Sequence, residues 1–386
     1  MKKFLDCISV VGTTPSRFQG KRKYVSTGAV ATTEINESEV VEVTYEDRPS
    51  RANLSAESGD ILFAKMQGTR KTLLLDSETE ENIYSTGFYA VRANPDVITT
   101  ECLYYLIDSE LFLTQKDKHC SGATQKAITN GGLAKIEIRV PPLSEQGILT
   151  VKLRYLTQLI VDKRKQLELL DEVIKSRFIE MFGDPIANEK GWSMHPLEDV
   201  CKTIVDCPHS TPNYTNEDTG YMCIRTSIVK KNRILWDDIE YISQAEYQQR
   251  IQRKRPEKGD IVYTREGAIL GIAAVIDRDC NVALGQRSML LSPNTGKCLP
   301  HFLSVAMNFD SFLNKALGGI SGSASPHINV GDIKAFSIIL PPIELQRQYV
   351  ELIEQTDKSK FYIVQTKILL ELLTRAIQHE TNEVLL

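Results

Sequence analysis

The chain contains two copies of one pattern, 200 residues apart. Short motifs carry this repeat, and each recurs at the same interval: Gly59-Asp60-Ile61 and Gly259-Asp260-Ile261, Ser121-Gly122 and Ser321-Gly322, Gly131 and Gly331, Pro141-Pro142 and Pro341-Pro342, Gln146 and Gln346. Solenoid repeats have periods of roughly 20–50 residues, so this interval is too long for a stacked array. It indicates a whole domain that is duplicated together with its connector. Such a chain has two similar surfaces for a target that itself has two parts.

The composition is that of an ordinary globular protein. With 386 residues, of which 42% are hydrophobic and 25% charged, the chain is long enough for two or three domains with their own cores. Its eight cysteines are scattered without a Cys-x-x-Cys pair, so we expect neither zinc nor a disulfide framework and favour a reducing cytoplasm. No apolar run approaches the about 18 residues of a membrane span, and we expect no membrane contact. With a net charge of −4, a DNA-binding role requires local basic patches or positively charged partners.

Each copy contains a globular unit rich in β-branched and aromatic residues. Strands are predicted at residues 61–65, 73–75, 87–91 and 136–140 in the first unit, and at 261–264, 272–275, 288–291 and 336–340 in the second. One amphipathic helix is predicted at 100–113, and another near 300–317. Because strands predominate and helices are few, the pattern favours an α+β fold over a doubly wound α/β fold.

A long helix is predicted after each proline pair. In the first copy, apolar residues recur at alternating spacings of four and three with one gap at Lys163, which is a heptad seam. The seam consists of Leu149, Leu153, Leu156, Ile160, Leu167, Leu170 and Ile174. The second copy is less regular, with Asp357 interrupting a stripe of Val350, Ile353, Phe361, Val364, Ile368 and Leu372. The two helices are expected to pair with each other as an antiparallel pair; a dimer seam between two chains is the alternative.

Together these features resemble the specificity subunit (HsdS) of type I restriction-modification systems. The motifs that carry the resemblance follow in order over essentially the whole chain: the joints Val140-Pro141-Pro142-Leu143 and Leu340-Pro341-Pro342-Ile343, then Met181-Phe182-Gly183-Asp184-Pro185, Gly191-Trp192 with Pro196-Leu197-Glu198-Asp199-Val200, and the repeated Gly-Asp-Ile and Ser-Gly motifs. The first unit lacks a counterpart of Gly191-Trp192, and residues 15–59 differ from 212–259 in length and content. In this family such a difference is expected, because two domains that recognise different DNA sequences need different contact surfaces.

The resemblance implies two similar mixed α/β target-recognition domains separated by two long antiparallel, coiled-coil-like helices. It divides the chain into recognition domain 1 (1–143), a central helix (144–183), recognition domain 2 (184–342) and a C-terminal helix (343–386). Each domain is then expected to read one half of a split double-stranded DNA target, while the helices set the spacer. The implied partners are two methyltransferase subunits that use S-adenosylmethionine, and restriction or translocase subunits that use ATP and Mg²⁺. No cofactor is expected on this chain itself.

The sequence lacks the motifs of the enzymes in such a system. A methyltransferase acting on an exocyclic amine is expected to carry Asn or Asp before Pro-Pro-aromatic, whereas the proline pairs here follow Val140 and Leu340. Residues 294–298 (Asn-Thr-Gly-Lys-Cys) lack both the first glycine and the final hydroxyl of a Walker A loop. The six histidines are scattered and indicate no nucleophilic triad. We therefore expect a non-catalytic recognition subunit.

Candidate DNA contacts lie in loops with Gly or Pro beside basic, hydroxyl or amide side chains. Phosphates are bound by Lys, Arg and small hydroxyls, and base edges are read by Arg, Lys, Asn, Gln and Ser. The predicted contact residues are Thr14, Ser16, Arg17, Lys21, Lys23, Lys65, Gln67, Arg70, Lys71, Gln125, Lys126, Ser210, Thr211, Arg225, Arg265, Ser323, Ser325 and His327. Each segment also has a purely structural interpretation as a solvated loop, a glycine hairpin or a helix cap.

A function from another class remains open, namely a helical scaffold or adaptor that binds proteins through its two globular ends. Such a protein would show no sequence-dependent DNA binding. The sequence also does not distinguish a subunit of a complete restriction system from one that serves a methyltransferase alone.

Overall fold

A computed structural model describes residues 1–318 and 326–383 and divides the chain into two compact units. Unit 1 contains Met1–Lys165 and Val364–Leu386, and unit 2 contains Gln166–Ile363. The boundary between the units falls within both long helices. The domain bounds predicted from the sequence keep each helix whole, and they stay a prediction. In the part of the chain so described, no helix has the length and apolar character needed to cross a membrane.

Unit 1 is built around two four-stranded sheets. Its strands are β1 (Lys2–Lys3), β2 (Ile8–Val11), β3 (Arg22–Val25), β4 (Val41–Val43), β5 (Ala52–Leu54), β6 (Ile61–Ala64), β7 (Thr72–Leu74), β8 (Ile83–Ser85), β9 (Phe88–Ala93) and β10 (Glu137–Ile138). Its helices are α1 (Thr100–Ile107), α2 (Glu110–Lys118), α3 (Asn130–Leu133), the first part of α4 (Leu143–Phe182) and the part of the C-terminal helix that begins at Val364. One sheet has the order β2-β9-β6-β7, and the other has the order β4-β3-β8-β5 with β3 and β8 parallel.

Unit 2 repeats this plan, except that its second sheet has three strands. Its strands are β11 (Met194–Pro196), β12 (Cys201–Asp206), β13 (Met222–Ile224), β14 (Val229–Lys230), β15 (Arg233–Ile234), β16 (Glu240–Tyr241), β17 (Ile261–Thr264), β18 (Ala273–Val275), β19 (Val282–Leu284), β20 (Ser288–Pro293) and β21 (Ser337–Ile339). Its helices are the end of α4, α5 (Leu197–Val200), α6 (Gln244–Arg250), α7 (Pro300–Asn308), α8 (Asp310–Leu317), α9 (Val330–Lys334) and the start of α10 (Ile343–Glu383). The sheet β12-β20-β17-β18 matches β2-β9-β6-β7 of unit 1, and β13 and β19 are parallel as β3 and β8 are.

The α+β class is confirmed, and the strands predicted in each unit are present with ends shifted by a few residues. The Gly-Asp-Ile motif starts an inner strand in each unit, β6 in the sheet β2-β9-β6-β7 and β17 in the sheet β12-β20-β17-β18. Gly59 has φ +86°, which glycine adopts without strain, and buried Asp60 accepts hydrogen bonds from the Glu57 N–H at 2.9 Å and the Arg92 Nε at 2.6 Å. All of β6 is then buried, because its side chains point alternately into two hydrophobic cores on opposite faces of the sheet. The motif is therefore a requirement of the fold.

The single helices predicted at 100–113 and near 300–317 are each two helices. In unit 1 the Ser109 hydroxyl accepts the Phe112 N–H at 3.2 Å and so starts α2 as a new helix. In unit 2 Phe309 leaves the helical conformation (φ −63°, ψ 141°), and its ring packs 4.8 Å from that of Phe178. The apolar periodicity continues through both breaks, so it did not reveal them.

In unit 2 the end of α4 and the start of α10 are antiparallel neighbours. Phe178 and Tyr349 are fully buried in one core, and the Tyr349 hydroxyl donates to the Ile174 carbonyl at 3.0 Å. Further along α10, the Lys360 ammonium pairs with Asp171 at 2.5 Å. Residue numbers thus rise along α10 while they fall along α4. Within this unit the pairing is intramolecular, as expected.

The predicted seam is correct for α4 and wrong for most of α10. Leu153 and Leu156 are 2% and 8% exposed, and the other seam residues of α4 are half-buried. In α10, Ile353 is buried, but the apolar residues that follow in the predicted seam are exposed: Phe361 59%, Val364 39%, Ile368 43% and Leu372 53%.

More polar residues occupy the inward positions of α10. Thr356 is 6% exposed, and the Lys360 side chain is 22% exposed because its stem packs inward while its ammonium reaches Asp171. Lys367 lies two turns further on and is also half-buried. From residue 361 to residue 372, the predicted stripe therefore lies on the outer face of this helix.

Candidate nucleic-acid interface

Three separate segments of unit 1 meet at the turn that follows β6. The Lys65 N–H donates to the Gly87 carbonyl at 2.8 Å, and the Lys65 carbonyl accepts the Ile128 N–H at 2.9 Å. The Gln67 N–H then donates to the Lys126 carbonyl at 3.0 Å. The turn after β6, the turn before β9 and the loop after α2 thereby form one surface, which we call junction 1. It contains four predicted contact residues: Lys65, Gln67, Gln125 and Lys126.

A buried cation, which the sequence reasoning missed, holds junction 1 together. Lys116 is 2% exposed, and its ammonium donates to the carbonyls of Ala64, Met66 and Thr69 at 3.2, 2.9 and 2.7 Å. Burial lowers the pKa of Lys116, because a charged group loses hydration there. A sequence signal exists: Lys116 lies four residues after buried Phe112 on the same face of α2.

The predicted contact residues of junction 1 differ in how far their side chains are exposed to solvent. Gln67 is exposed, with its amide nitrogen 3.3 Å from the Asp117 carbonyl, and the side chains of Gln125 and Lys126 are exposed in the adjoining loop. The Lys65 ammonium donates to the Thr86 carbonyl at 2.9 Å and lies 4.5 Å from the centre of the Tyr89 ring. It remains half-exposed. Burial lowers the pKa of Lys65.

Arg70 and Lys71 are already engaged within the fold. The Arg70 guanidinium binds Asp108 through two hydrogen bonds of 3.1 and 2.9 Å, and the Lys71 ammonium donates to the Thr27 carbonyl at 2.6 Å. Because each brings a distant segment to the turn, both side chains brace junction 1. Both residues stay predicted DNA contacts whose charged groups already have partners within the fold.

The basic segment near β3 is matched by acidic side chains. Arg17 pairs with Glu46 at 3.1 Å, and Lys21 pairs with Glu42 at 3.3 Å. Lys23 also pairs with a carboxylate, Glu37, at 2.8 Å. Thr14 and Ser16 are exposed beside them. Exposed pairs of this kind contribute only about 0–1 kcal/mol each, so a DNA phosphate can replace the carboxylate at small cost.

Unit 2 forms the corresponding surface, which we call junction 2. The Arg265 N–H donates to the Arg287 carbonyl at 3.0 Å, and the Arg265 carbonyl accepts the Ile328 N–H at 2.9 Å. The Gly267 N–H donates to the Pro326 carbonyl at 3.1 Å. Residues 265, 287 and 328 are thus joined as residues 65, 87 and 128 are in unit 1.

The side chain of Arg265, a predicted phosphate contact, points inward. Arg265 is 5% exposed, its guanidinium binds both carboxylate oxygens of Asp206 at 2.9 and 3.2 Å, and it also pairs with Glu266 at 2.8 Å. Breaking a buried pair of this kind costs about 3–5 kcal/mol. Arg265 therefore braces junction 2 from the inside, as Lys116 braces junction 1.

The other predicted residues of unit 2 lie near the surface. The Thr211 hydroxyl donates to the Gln286 side chain at 3.2 Å, which places residues 211 and 286 side by side. Ser210 is exposed and accepts hydrogen bonds from the buried guanidinium of Arg250 at 2.9 and 3.3 Å. Arg225 pairs with Glu240 at 3.0 Å. His327 is exposed, and Ser323 and Ser325 lie outside the described residues.

Comparison with known proteins gives one consistent result. The model of the family described as "Type I restriction modification DNA specificity domain" matches residues 11–169 and 189–373. The chain is 23% identical over 318 residues to the type I restriction enzyme EcoKI specificity subunit of Escherichia coli (strain K12), covering 77% of this chain and 67% of that protein. It is 22% identical over 305 residues to the type I restriction enzyme MjaIX specificity subunit of Methanocaldococcus jannaschii, and the match covers 69% of this chain and 68% of that protein.

Solved structures show the same fold. A chain from a study of complex assembly and conformational transition of the type I R-M system superposes with a TM-score of 0.53 at 22% identity, covering 97% of both chains. The S subunit of a type I restriction-modification system from M. genitalium superposes with a TM-score of 0.53 at 12% identity, covering 100% of this chain and 96% of that one. The chain therefore belongs to the type I restriction-modification DNA specificity family, and it is a DNA sequence-specificity subunit.

Proposed function

We propose that each unit reads one half of a bipartite double-stranded DNA target through its junction, and that α4 and α10 set the length of the unspecified spacer. The observation that carries this proposal is the repetition of one backbone junction with different side chains. The turn after the inner strand joins residues 65, 87 and 128 in unit 1 and residues 265, 287 and 328 in unit 2. The brace, however, is Lys116 in one unit and Arg265 in the other. A constant framework with variable side chains suits two half-sites of different sequence.

The exposed residues of the junctions are the proposed DNA contacts. In junction 1 these are Gln67, Gln125 and Lys126, with Lys65 at the edge. In junction 2 they include Thr211, His327 and the neighbouring Ser210. Amide and hydroxyl groups of this kind hydrogen-bond to base edges and phosphates, while Lys65 and Lys126 add local positive charge to a chain of net charge −4.

The long helices are the proposed docking faces for two methyltransferase subunits. On α4 in unit 1, Ile148, Val151 and Tyr155 are 64%, 59% and 67% exposed at helical spacings of three and four. On α10 in the same unit, Leu369 and Leu373 are 65% and 48% exposed. Apolar side chains that recur along one helix face and remain exposed are typical of protein interfaces.

The chemistry is proposed to belong to the partners. The methyltransferase subunits would use S-adenosylmethionine, and restriction or translocase subunits, where present, would use ATP and Mg²⁺. This chain would contribute recognition without catalysis or a cofactor of its own. Its scattered cysteines and its DNA target suit the cytoplasm.

Methylation-site sequencing tests the proposal. DNA is treated with the chain together with its cognate methyltransferase subunit, and with each protein alone as a control. The expected result is a split motif with two short defined halves that appears only when both proteins are present. A well-formed complex with an active methyltransferase that yields no motif would favour the protein-binding scaffold instead.

A further inference from the structure

Arg287 has an unusual backbone conformation. Its φ is +71°, in the left-handed region that glycine and asparagine enter most readily. The position corresponds to Gly87 of unit 1, because the Gly87 and Arg287 carbonyls accept the N–H groups of Lys65 and Arg265. An arginine at a position filled by glycine in the other copy carries a conformational cost. Backbone strain of this kind is typically retained where geometry matters for function.

The Arg287 side chain is exposed on junction 2. It makes no hydrogen bond or ion pair to the rest of the chain within residues 1–318 and 326–383. Arg265, in contrast, is buried and bonded to Asp206. Arg287 is therefore a cation that the fold leaves available at this surface.

Neighbouring residues give the guanidinium a defined place. Gly267, at φ +90°, leaves open the space that a side chain would occupy; a Cβ there would lie 3.4 Å from Nη1 of Arg287 and 3.7 Å from its Cδ. Gln286, the preceding residue, hydrogen-bonds to Thr211 at 3.2 Å. The guanidinium thus lies over the Gly267 turn, and the residue before Arg287 is bonded to Thr211.

We propose that Arg287 reads a base of the half-site recognised by unit 2, by donating two hydrogen bonds to guanine O6 and N7 in the major groove. This inference rests on the proposed function. Arginine paired with guanine in this way is the commonest specific contact in protein–DNA complexes. A phosphate contact requires charge but little directional precision, whereas a two-bond contact to one base requires a fixed side-chain direction. The bonded carbonyl and the left-handed backbone of Arg287 fix the direction in which its side chain leaves the main chain, and the Gly267 turn leaves room for the guanidinium.

The test compares methylation motifs of the full chain with its cognate methyltransferase subunit. The variants are Arg287→Gly, Arg287→Lys, and the control Arg233→Ala, which removes another exposed arginine of unit 2. Arg287→Gly is expected to fold well, because glycine occupies the equivalent position in unit 1. It should reduce the preference for one G·C pair in a single half-site by about 10- to 100-fold and leave the other half-site unchanged. Arg287→Lys should retain only part of the preference, and Arg233→Ala should retain all of it.

Two results would overturn the assignment. One is a motif that Arg287→Gly leaves unchanged. The other is an equal loss of affinity for all DNA sequences, together with a slope of log affinity against log salt concentration that is smaller by about one. That result would identify a phosphate contact instead. A wild-type complex that gives no split motif is a separate outcome, because it would refute the proposed function itself.

Discussion

The side-chain amide of Gln146 joins the beginning of α4 to the beginning of α1, because its oxygen accepts the Thr99 N–H at 2.7 Å. Its nitrogen donates to the carbonyls of Val97 and Pro141 at 3.1 and 2.9 Å. Gln346 repeats the arrangement in unit 2 with Leu299, Lys297 and Pro341. Both glutamines are fully buried. The glutamine after each proline pair therefore fixes a long helix to its recognition domain.

Replacement of Gln146 by leucine should lower the free energy of unfolding by about 2–4 kcal/mol, because one N–H and two carbonyls lose their buried partner. Urea denaturation measures this change. Gln158→Leu is the matched control on the same helix, since Gln158 is exposed, and it should change stability by less than about 0.5 kcal/mol. Equal stability of the two variants would show that the joint does not depend on this amide.

Lys116→Met should disturb junction 1 selectively. Methionine fills similar space but leaves the carbonyls of Ala64, Met66 and Thr69 without their common donor, which costs about 1–3 kcal/mol. The turn after β6 should then loosen. We expect the methylation motif to lose definition in one half and to keep it in the other.

The control is Lys118→Met, at an exposed position two residues further along the chain. It removes the same charge and should leave both halves of the motif intact. If Lys116→Met blurred both halves equally, Lys116 would be a general stability element without a specific role in junction 1.

Tyr155→Asp should weaken binding of the methyltransferase subunit by at least about tenfold, because a charge replaces an exposed aromatic side chain on the proposed docking face. The free energy of unfolding of the isolated chain should change little, since Tyr155 is 67% exposed. Calorimetric titration measures the affinity. Lys152→Asp, at another exposed position of α4, is the control; a similar loss in both variants would indicate a general charge effect.

Lengthening both long helices should lengthen the spacer in the DNA target. Four residues inserted after Thr157 in α4 and four after Val364 in α10 add about 6 Å to each helix, close to the rise of two base pairs. We expect a longer unspecified gap between unchanged half-sites in methylation-site sequencing. A seven-residue insertion, which preserves the heptad register, is the companion variant. An unchanged gap in both variants would refute the proposal that the two helices set the length of the spacer.

The sequence by itself determined the duplication, the α+β class, the strand positions, the long helices and the family. These features depend on local patterns: β6 is a continuous apolar run because both of its faces are buried, and the seam of α4 follows a regular heptad. Such patterns can be recognised in the sequence because the residues that form them are close together in the chain.

Only the tertiary structure decided which side chains reach solvent. Arg265 and Arg70 read as phosphate contacts in the sequence, yet each is bound to a carboxylate that lies 59 and 38 residues away in the chain. Phe361 reads as part of a buried stripe, yet it is exposed while Lys360 points inward. Arg287 was not singled out in the sequence, because only the fold shows its left-handed backbone and its lack of a partner among residues 1–318 and 326–383. The physical reason is the same throughout: burial and charge pairing depend on long-range contacts that no local pattern of residues encodes.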